Sequence, residues 1–143
     1  MARYEHLPIY KKAMDLTIYF EKIVRNFSRY HKYTLGSELR EKSREIVGLI
    51  TKANSTVERL PVLLDLREKL EGLNVLLRIC KEVRVFNSFN SYVYASNVVV
   101  ELSRQNEGWI KGQKKGGGQN SRPVEAGERA EFHHGASAPP FKA

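Results

Sequence analysis

Seven cationic side chains form two groups that could hold a polyanion. The groups are Lys22, Arg25, Arg29 and Lys32 in one stretch, and Arg78, Lys81 and Arg84 in another. Lysine and arginine in such groups can contact phosphates and release counterions, so nucleic acid is a suitable ligand. Tyr30, Tyr33 and Phe86 stand nearby and could offer stacking faces if they are exposed. An equally consistent interpretation is that the cations favour helix C-termini, where the macrodipole is negative, and that the rings cap the core.

Residues that could support catalysis are few and poorly placed. Three glutamates, Glu38, Glu41 and Glu45, share a predicted helical face, but basic residues alternate with them, as is typical of a solvated surface. Cys80 falls on an apolar seam and is predicted to be a small core residue rather than a nucleophile. The sequence does not contain the two E-x-x-H motifs that a di-iron helical bundle needs. We therefore predict that the protein is not an enzyme and that it binds no cofactor.

Helical spacing of apolar residues predicts the elements that position these groups. A first helix is expected over about residues 7–28, with Pro8 in its first turn, where the missing N–H is not needed. A second helix is expected over about residues 35–54. Thr34 should cap it, its hydroxyl oxygen accepting from backbone N–H groups of the first turn.

A third helix is predicted to begin with Pro61 in its first turn and to carry a leucine-rich seam that ends at Cys80. On its surface, Asp65 and Lys69 have the i,i+4 spacing of a helical ion pair.

A fourth helix is predicted to begin after Asn87 or Ser88, either of which can act as an N-cap, and to continue to about Lys111. The three valines at 98–100 are β-branched and would suit a strand if taken alone. The stretch 87–107 contains no glycine or proline, which favours a helix. Trp109 is expected to close the core at its end.

The predicted connections are short, about 4 to 7 residues, so neighbouring helices should be antiparallel. The fold class that follows is all-α, an up-down-up-down four-helix bundle over residues 1–111. In that topology the C-terminal ends of the first and third helices lie at the same pole, which would bring the two cationic groups together. Residues 112–143 are rich in Gly, Ser and Pro and should form a flexible, disordered tail.

Composition limits the setting and the partners. The chain carries a net charge of +8, and residues 1–111 hold 19 Lys and Arg against 13 Asp and Glu. A basic fold attracts nucleic acid or an acidic membrane surface. The single cysteine excludes an intrachain disulfide, and the N-terminus has no secretory apolar region, so a cytoplasmic location is expected. No stretch reaches the length of a membrane span, and we expect no membrane association.

Two further apolar sets could mediate self-association. They are Tyr10, Met14 and Ile18 on the first helix, and Val62, Leu76 and Val83 on the third. The alternative is a wide apolar stripe that packs within one bundle, and the sequence alone favours neither.

The chain resembles a known family of four-helix bundles at three places. They are the helix start Tyr33-Thr34-Leu35-Gly36, the run LLRICK at 76–81 and the run GWIK at 108–111. The family contains the accessory variability determinant (Avd) proteins of diversity-generating retroelements and proteins encoded in intervening sequences of large-subunit ribosomal RNA genes. The resemblance covers about residues 7–111. Arg78 and Lys81 match basic positions of the family's third helix, whereas the other five cations are placed by helix geometry.

The resemblance implies a homo-oligomer, specifically a pentameric barrel, whose basic surface binds nucleic acid and a partner reverse transcriptase. The expected function is that of a non-catalytic accessory protein that binds RNA, with DNA as an alternative ligand, through phosphates and without base readout. Two alternatives remain open. One is a ribosomal RNA intervening-sequence protein of unknown role, and the other is a protein-interaction module whose charge serves solubility.

Overall fold

A computed structural model describes residues 4–116, and helices make up nearly all of this part of the chain. After a short 3-10 turn the elements are α1 (Pro8–Val24), α2 (Arg29–Lys32), α3 (Leu35–Asn54), α4 (Leu60–Glu82) and α5 (Phe89–Gly116). α2 is a single turn in the connection between α1 and α3, so four long helices form the fold. The predicted all-α four-helix bundle is confirmed.

Contacts between helices fix the antiparallel arrangement. α1 packs against α3 and α5, and α4 also packs against α3 and α5, so α1 and α4 lie diagonally across the bundle. Late in α1, Tyr19 donates a hydrogen bond to Ser91 near the start of α5, 3.0 Å away. Early in α4, Arg67 forms a bidentate ion pair with Glu107 late in α5. Each neighbouring pair therefore runs in opposite directions.

The core lies between the apolar faces of the four long helices. Its largest fully buried side chains are Trp109, Phe20, Ile9, Leu16, Ile23, Leu39, Ile46, Ile50, Leu63, Leu66, Leu70 and Leu73. Burying a side chain of this size contributes roughly 1.5–3 kcal/mol, so this set is the main source of stability. Cys80 and Trp109 belong to this core, as the sequence predicted.

Local features of α4 and α5 also agree with the sequence. Pro61 lies in the first turn of α4, and Lys69 Nζ lies 3.3 Å from Asp65 Oδ1 in the predicted i,i+4 pair. Ser88 caps α5, since its hydroxyl accepts from the Asn90 N–H at 3.2 Å. The valine run at 98–100 is helical, with its third member exposed.

The first connection differs from the prediction. α1 ends at Val24 instead of continuing to Ser28, and the chain turns before the single turn of α2. Thr34 does occupy the N-cap position of α3, but the predicted side-chain cap is wrong. Its hydroxyl donates backwards to the Tyr30 carbonyl at 2.8 Å, because the turn of α2 leaves that acceptor within reach.

The last helix is longer than predicted. α5 continues past Lys111 to Gly116, and Gln113 is buried, so the packed part of the chain includes residues that composition had assigned to the tail. The remainder of the predicted tail, residues 117–143, lies outside the described residues.

Packing within one bundle explains some members of the two further apolar sets that the sequence offered for self-association. Val62 and Leu76 are buried in the core, so they do not form an outer surface. Ile18 and Val83 are exposed, and Val83 continues a stripe on α4 with Val75 and Ile79 at i,i+4 spacing.

Among the described helices, none is long and apolar enough to cross a membrane.

Gly36 lets α3 approach α1 closely at their shared end. It is buried in the first turn of α3, and a Cβ built on it would lie 2.7 Å from Val24 Cγ1. The same Cβ would lie 3.1 Å from the His31 carbonyl oxygen. No side chain fits there without moving α1 or the α2 turn.

Candidate nucleic-acid interface

The chain corners after α1 and after α4 meet at one end of the bundle. The Phe27 and Phe86 rings pack edge to face with centroids 5.9 Å apart, and the Asn87 amide donates to the Asn26 carbonyl at 3.0 Å. We call this end the basic pole, defined as residues 22–33 together with residues 78–92. The two corners therefore lie side by side, as the predicted topology requires.

All seven predicted cations lie on the basic pole. Lys22, Arg25, Arg29, Arg78 and Arg84 are exposed, and Lys32 and Lys81 are half-buried. Lys32 and Lys81 extend across aromatic rings, with Nζ 6.0 Å from the centroid of Tyr33 and 5.2 Å from that of Tyr92. Such contacts hold the ammonium groups at the surface while their stems cover apolar area.

Acidic residues are missing from both corners of the chain. No Asp or Glu occurs between Glu21 and Glu38, or between Glu82 and Glu101. Glu21, at the edge of the first gap, is paired with Arg40 and Arg44 of α3. Glu82 is paired with Lys81 at 3.5 Å. Glu38, at the other edge of the first gap, is exposed and acts electrostatically on Cys80. The basic pole itself holds seven Lys and Arg side chains against Glu82 alone, so its net charge is positive.

The aromatic residues of the basic pole differ in exposure. Tyr30 and Tyr33 are exposed, which satisfies the condition set for stacking faces. Phe86 is half-buried against Phe27, so it mainly closes the core. Phe89 is exposed at the start of α5, and sequence reasoning missed it because it follows the predicted cap and belongs to no apolar seam.

Arg84 has a backbone conformation that is unusual for its residue type. Its φ is 59°, in the left-handed region, at the residue just beyond the C-cap of α4. The Val85 N–H donates to the Cys80 carbonyl at 2.9 Å and the Arg84 N–H to the Lys81 carbonyl at 3.1 Å. This is the hydrogen-bond pattern of a Schellman motif, whose left-handed position usually holds glycine. The motif turns the chain sharply and projects the Arg84 side chain from the pole.

Arg84→Gly is expected to raise the free energy of unfolding by about 0.5–1 kcal/mol. A non-glycine residue in the left-handed region costs the folded state roughly 1–2 kcal/mol. Glycine removes this cost, but it also raises the conformational entropy of the unfolded chain, which cancels part of the gain in stability. Arg84→Ala is the matched control, since it removes the same charge and keeps the strain. Urea unfolding monitored by circular dichroism compares the two variants. Equal stability of both would show that the left-handed backbone carries no strain.

Other groups in the described part of the chain offer less chemistry. Burial raises the pKa of the Cys80 thiol to about 12, so the thiolate that a nucleophile requires is disfavoured. Within residues 4–116 no group of three or more His, Cys, Asp or Glu side chains is placed to hold a metal ion.

Comparison with known proteins identifies one family. The profile described as bAvd-like matches residues 7–113, which covers the whole basic pole and the four long helices up to three residues before the end of α5. No curated protein and no solved structure matches the chain significantly.

Proposed function

The chain belongs to the bAvd-like family, and from that membership we propose that it is a cytoplasmic, non-catalytic accessory protein of a diversity-generating retroelement. In this role it binds nucleic acid at the basic pole and assists a reverse transcriptase. The observation that carries the proposal is the convergence of seven cations at two chain corners, where Glu82, paired with Lys81, is the one acidic residue within the basic pole.

Binding at this pole depends on phosphates rather than on base edges. Cations at the ends of α1 and α4 and in α2 belong to different elements, so they spread over a surface that an extended backbone can cross. Each phosphate neutralised releases counterions, which makes the affinity dependent on salt and nearly independent of sequence. Self-association of the protein would place several such poles side by side and multiply weak contacts into useful avidity.

A charge-neutral variant tests the proposal. Replacing Arg25, Arg29 and Arg78 with glutamine removes three exposed cations that carry no core packing. We expect affinity for a structured RNA to fall about tenfold or more at low salt. The slope of log affinity against log salt should decrease by about 0.7–0.9 for each phosphate that the variant no longer neutralises. Fluorescence anisotropy over a salt series measures both quantities.

The matched control removes equal charge from the opposite pole. Lys52 lies in the last turn of α3, and Lys111 and Lys114 lie near the end of α5, all exposed and away from the basic pole. The variant with glutamine at these three positions should change RNA affinity by no more than about threefold, because these charges act on the RNA only at long range. Equal reductions of affinity in the two variants would mean that net charge, not the basic pole, attracts RNA. No RNA binding by the unchanged protein would favour a protein-interaction module instead.

Self-association is supported by the exposed stripe of Val75 and Ile79 on α4 and Val83 at its C-cap, an apolar surface that a single bundle leaves in water. Light scattering on the same samples gives the subunit number, and a homopentamer is the expected assembly. A monomer at all concentrations would remove the avidity part of the proposal. A reverse transcriptase gene beside this one would favour the retroelement role over the ribosomal RNA intervening-sequence branch.

A further inference from the structure

The exposed aromatic side chains of the described chain are confined to one end. Tyr30 is 74% exposed, Tyr33 68% and Phe89 66%, and all three lie on the basic pole. Within residues 5–114 every other Phe, Tyr and Trp is buried or half-buried. Exposed aromatic rings that are grouped on one surface commonly mark a binding site, because covering them with a ligand removes their large apolar area from water.

These rings are not needed to complete the core. Phe89 contacts Tyr92, with ring centroids 5.7 Å apart, and Tyr92 in turn lies 6.2 Å from Phe86. Phe86 packs on the buried Phe27, so the row of rings leads outward from the core to the surface. The hydrogen bond from Asn87 to Asn26 holds the two corners together. Phe89 therefore lies on a row of contacting rings that connects it to the core, and its backbone is fixed at the start of α5.

Cations are interleaved with the rings. Lys81 Nζ lies 5.2 Å from the Tyr92 ring beside Phe89, and Lys32 Nζ lies 6.0 Å from the Tyr33 ring. A surface that presents exposed rings beside positive charge suits the bases and phosphates of one strand. Paired bases stack on each other and present edges only, so a duplex cannot use these rings unless it opens.

We infer that the basic pole binds unpaired, single-stranded nucleic acid, with bases stacked on Phe89, Tyr33 and Tyr30 and phosphates held by the neighbouring cations. This inference rests on the proposed function, since it specifies which form of nucleic acid the same surface accepts. Stacking works with any base, so the preference is for an open strand and not for a sequence.

The test compares a single-stranded oligouridylate with an RNA duplex of equal length, about 20 nucleotides, by fluorescence anisotropy. The double variant Phe89→Leu, Tyr33→Leu keeps apolar side chains and removes two exposed rings. Its affinity for the single strand should fall about tenfold for each ring, while duplex affinity should change less than twofold. The salt slope should stay the same, because no cation is removed.

A second variant supplies a signal that loss of folding cannot imitate. Phe89→Trp keeps a stacking face, should bind the single strand like the unchanged protein, and should show fluorescence quenching when a base stacks on the indole. Trp109, buried at the other end of the bundle, gives a constant background. Circular dichroism of each variant confirms that the helices are intact.

The outcomes separate this inference from the proposed function. Equal affinity for both RNA forms, or single-strand binding unchanged in the leucine variant, overturns the stacking inference and leaves phosphate binding intact. Binding to neither RNA overturns both. Loss of single-strand affinity in the leucine variant, with duplex affinity and salt slope unchanged, supports the inference.

Discussion

Replacing Gly36 with alanine is expected to lower the free energy of unfolding by roughly 1–3 kcal/mol. Alanine usually stabilises a helix relative to glycine, but here the added methyl group would lie 2.7 Å from Val24 Cγ1. Val24 is buried and β-branched, so its side chain has little freedom to move away. Relief requires a shift of α1 or of the α2 turn, and such a shift also disturbs Phe27, 3.4 Å from the same methyl group.

Gly48→Ala is the control on the same helix. Gly48 is exposed in the middle of α3, and a Cβ built on it meets nothing within 4 Å. This variant should gain about 0.5–1 kcal/mol from better helix propensity. Urea unfolding measured by circular dichroism gives both values. Opposite signs for the same chemical change are the expected result, and stabilisation by both alanines would refute the close approach at Gly36.

Stability is expected to fall steeply above about pH 9, with the Cys80 thiol as a main cause. Burial raises the thiol pKa from an ordinary value of 9.0 to about 12 in the folded protein. Below pH 9 the thiol is protonated in both the folded and the unfolded protein, so its contribution to stability is fully present. Above pH 9 the unfolded chain loses its proton first, so stability decreases until the pH passes about 12. The three pH units between these values correspond to at most about 4 kcal/mol.

Cys80→Ala separates the thiol from other alkaline groups. Burial also raises the pKa values of Tyr19 and Tyr94, which remain in the variant. The variant should start slightly less stable at pH 7, because a small cavity replaces the sulfur, and should lose less stability between pH 9 and 11. Urea titrations at several pH values measure the difference. Parallel pH curves for the two proteins would mean that the thiol titrates normally in the fold.

Residue spacing predicted the long helices well, because the core seams follow one period over many turns. Leu63, Leu66, Leu70 and Leu73 read as a stripe in the sequence and form one in the structure. Helix ends were harder, since they depend on contacts between distant residues. α1 stops at Val24 because the chain must turn to place Phe27 against Phe86, a partner almost 60 residues away. Gly112 and Gly116 suggested a tail, but packing of Gln113 keeps this segment helical.

The candidate site was partly predictable, because the residue spacing that predicts the helices also predicts which of their ends meet. Helix direction predicted that the two cationic groups meet at one pole, and the family resemblance supported Arg78 and Lys81; the structure brings the groups together, and nucleic-acid binding by them stays a prediction. Which rings remain in water could not be read from the sequence, because Phe86 and Phe89 differ by three positions and have no distinguishing pattern. Their exposure depends on how the two corners dock. The left-handed backbone at Arg84 could not be predicted from the sequence, because the residue that usually marks such a position is glycine.

The hydrogen bond between Asn87 and Asn26 joins residues 61 positions apart in the chain. We expect this contact to form after the local helices, because the loop that it closes is long and its closure costs chain entropy. During synthesis the cations of α1 and α2 emerge well before the corner that completes their surface. A chain that ends before α5 carries all seven cations but lacks Phe89 and the contacts of α5 with α1 and α4. Both corners must therefore be folded and docked before all seven cations share one surface.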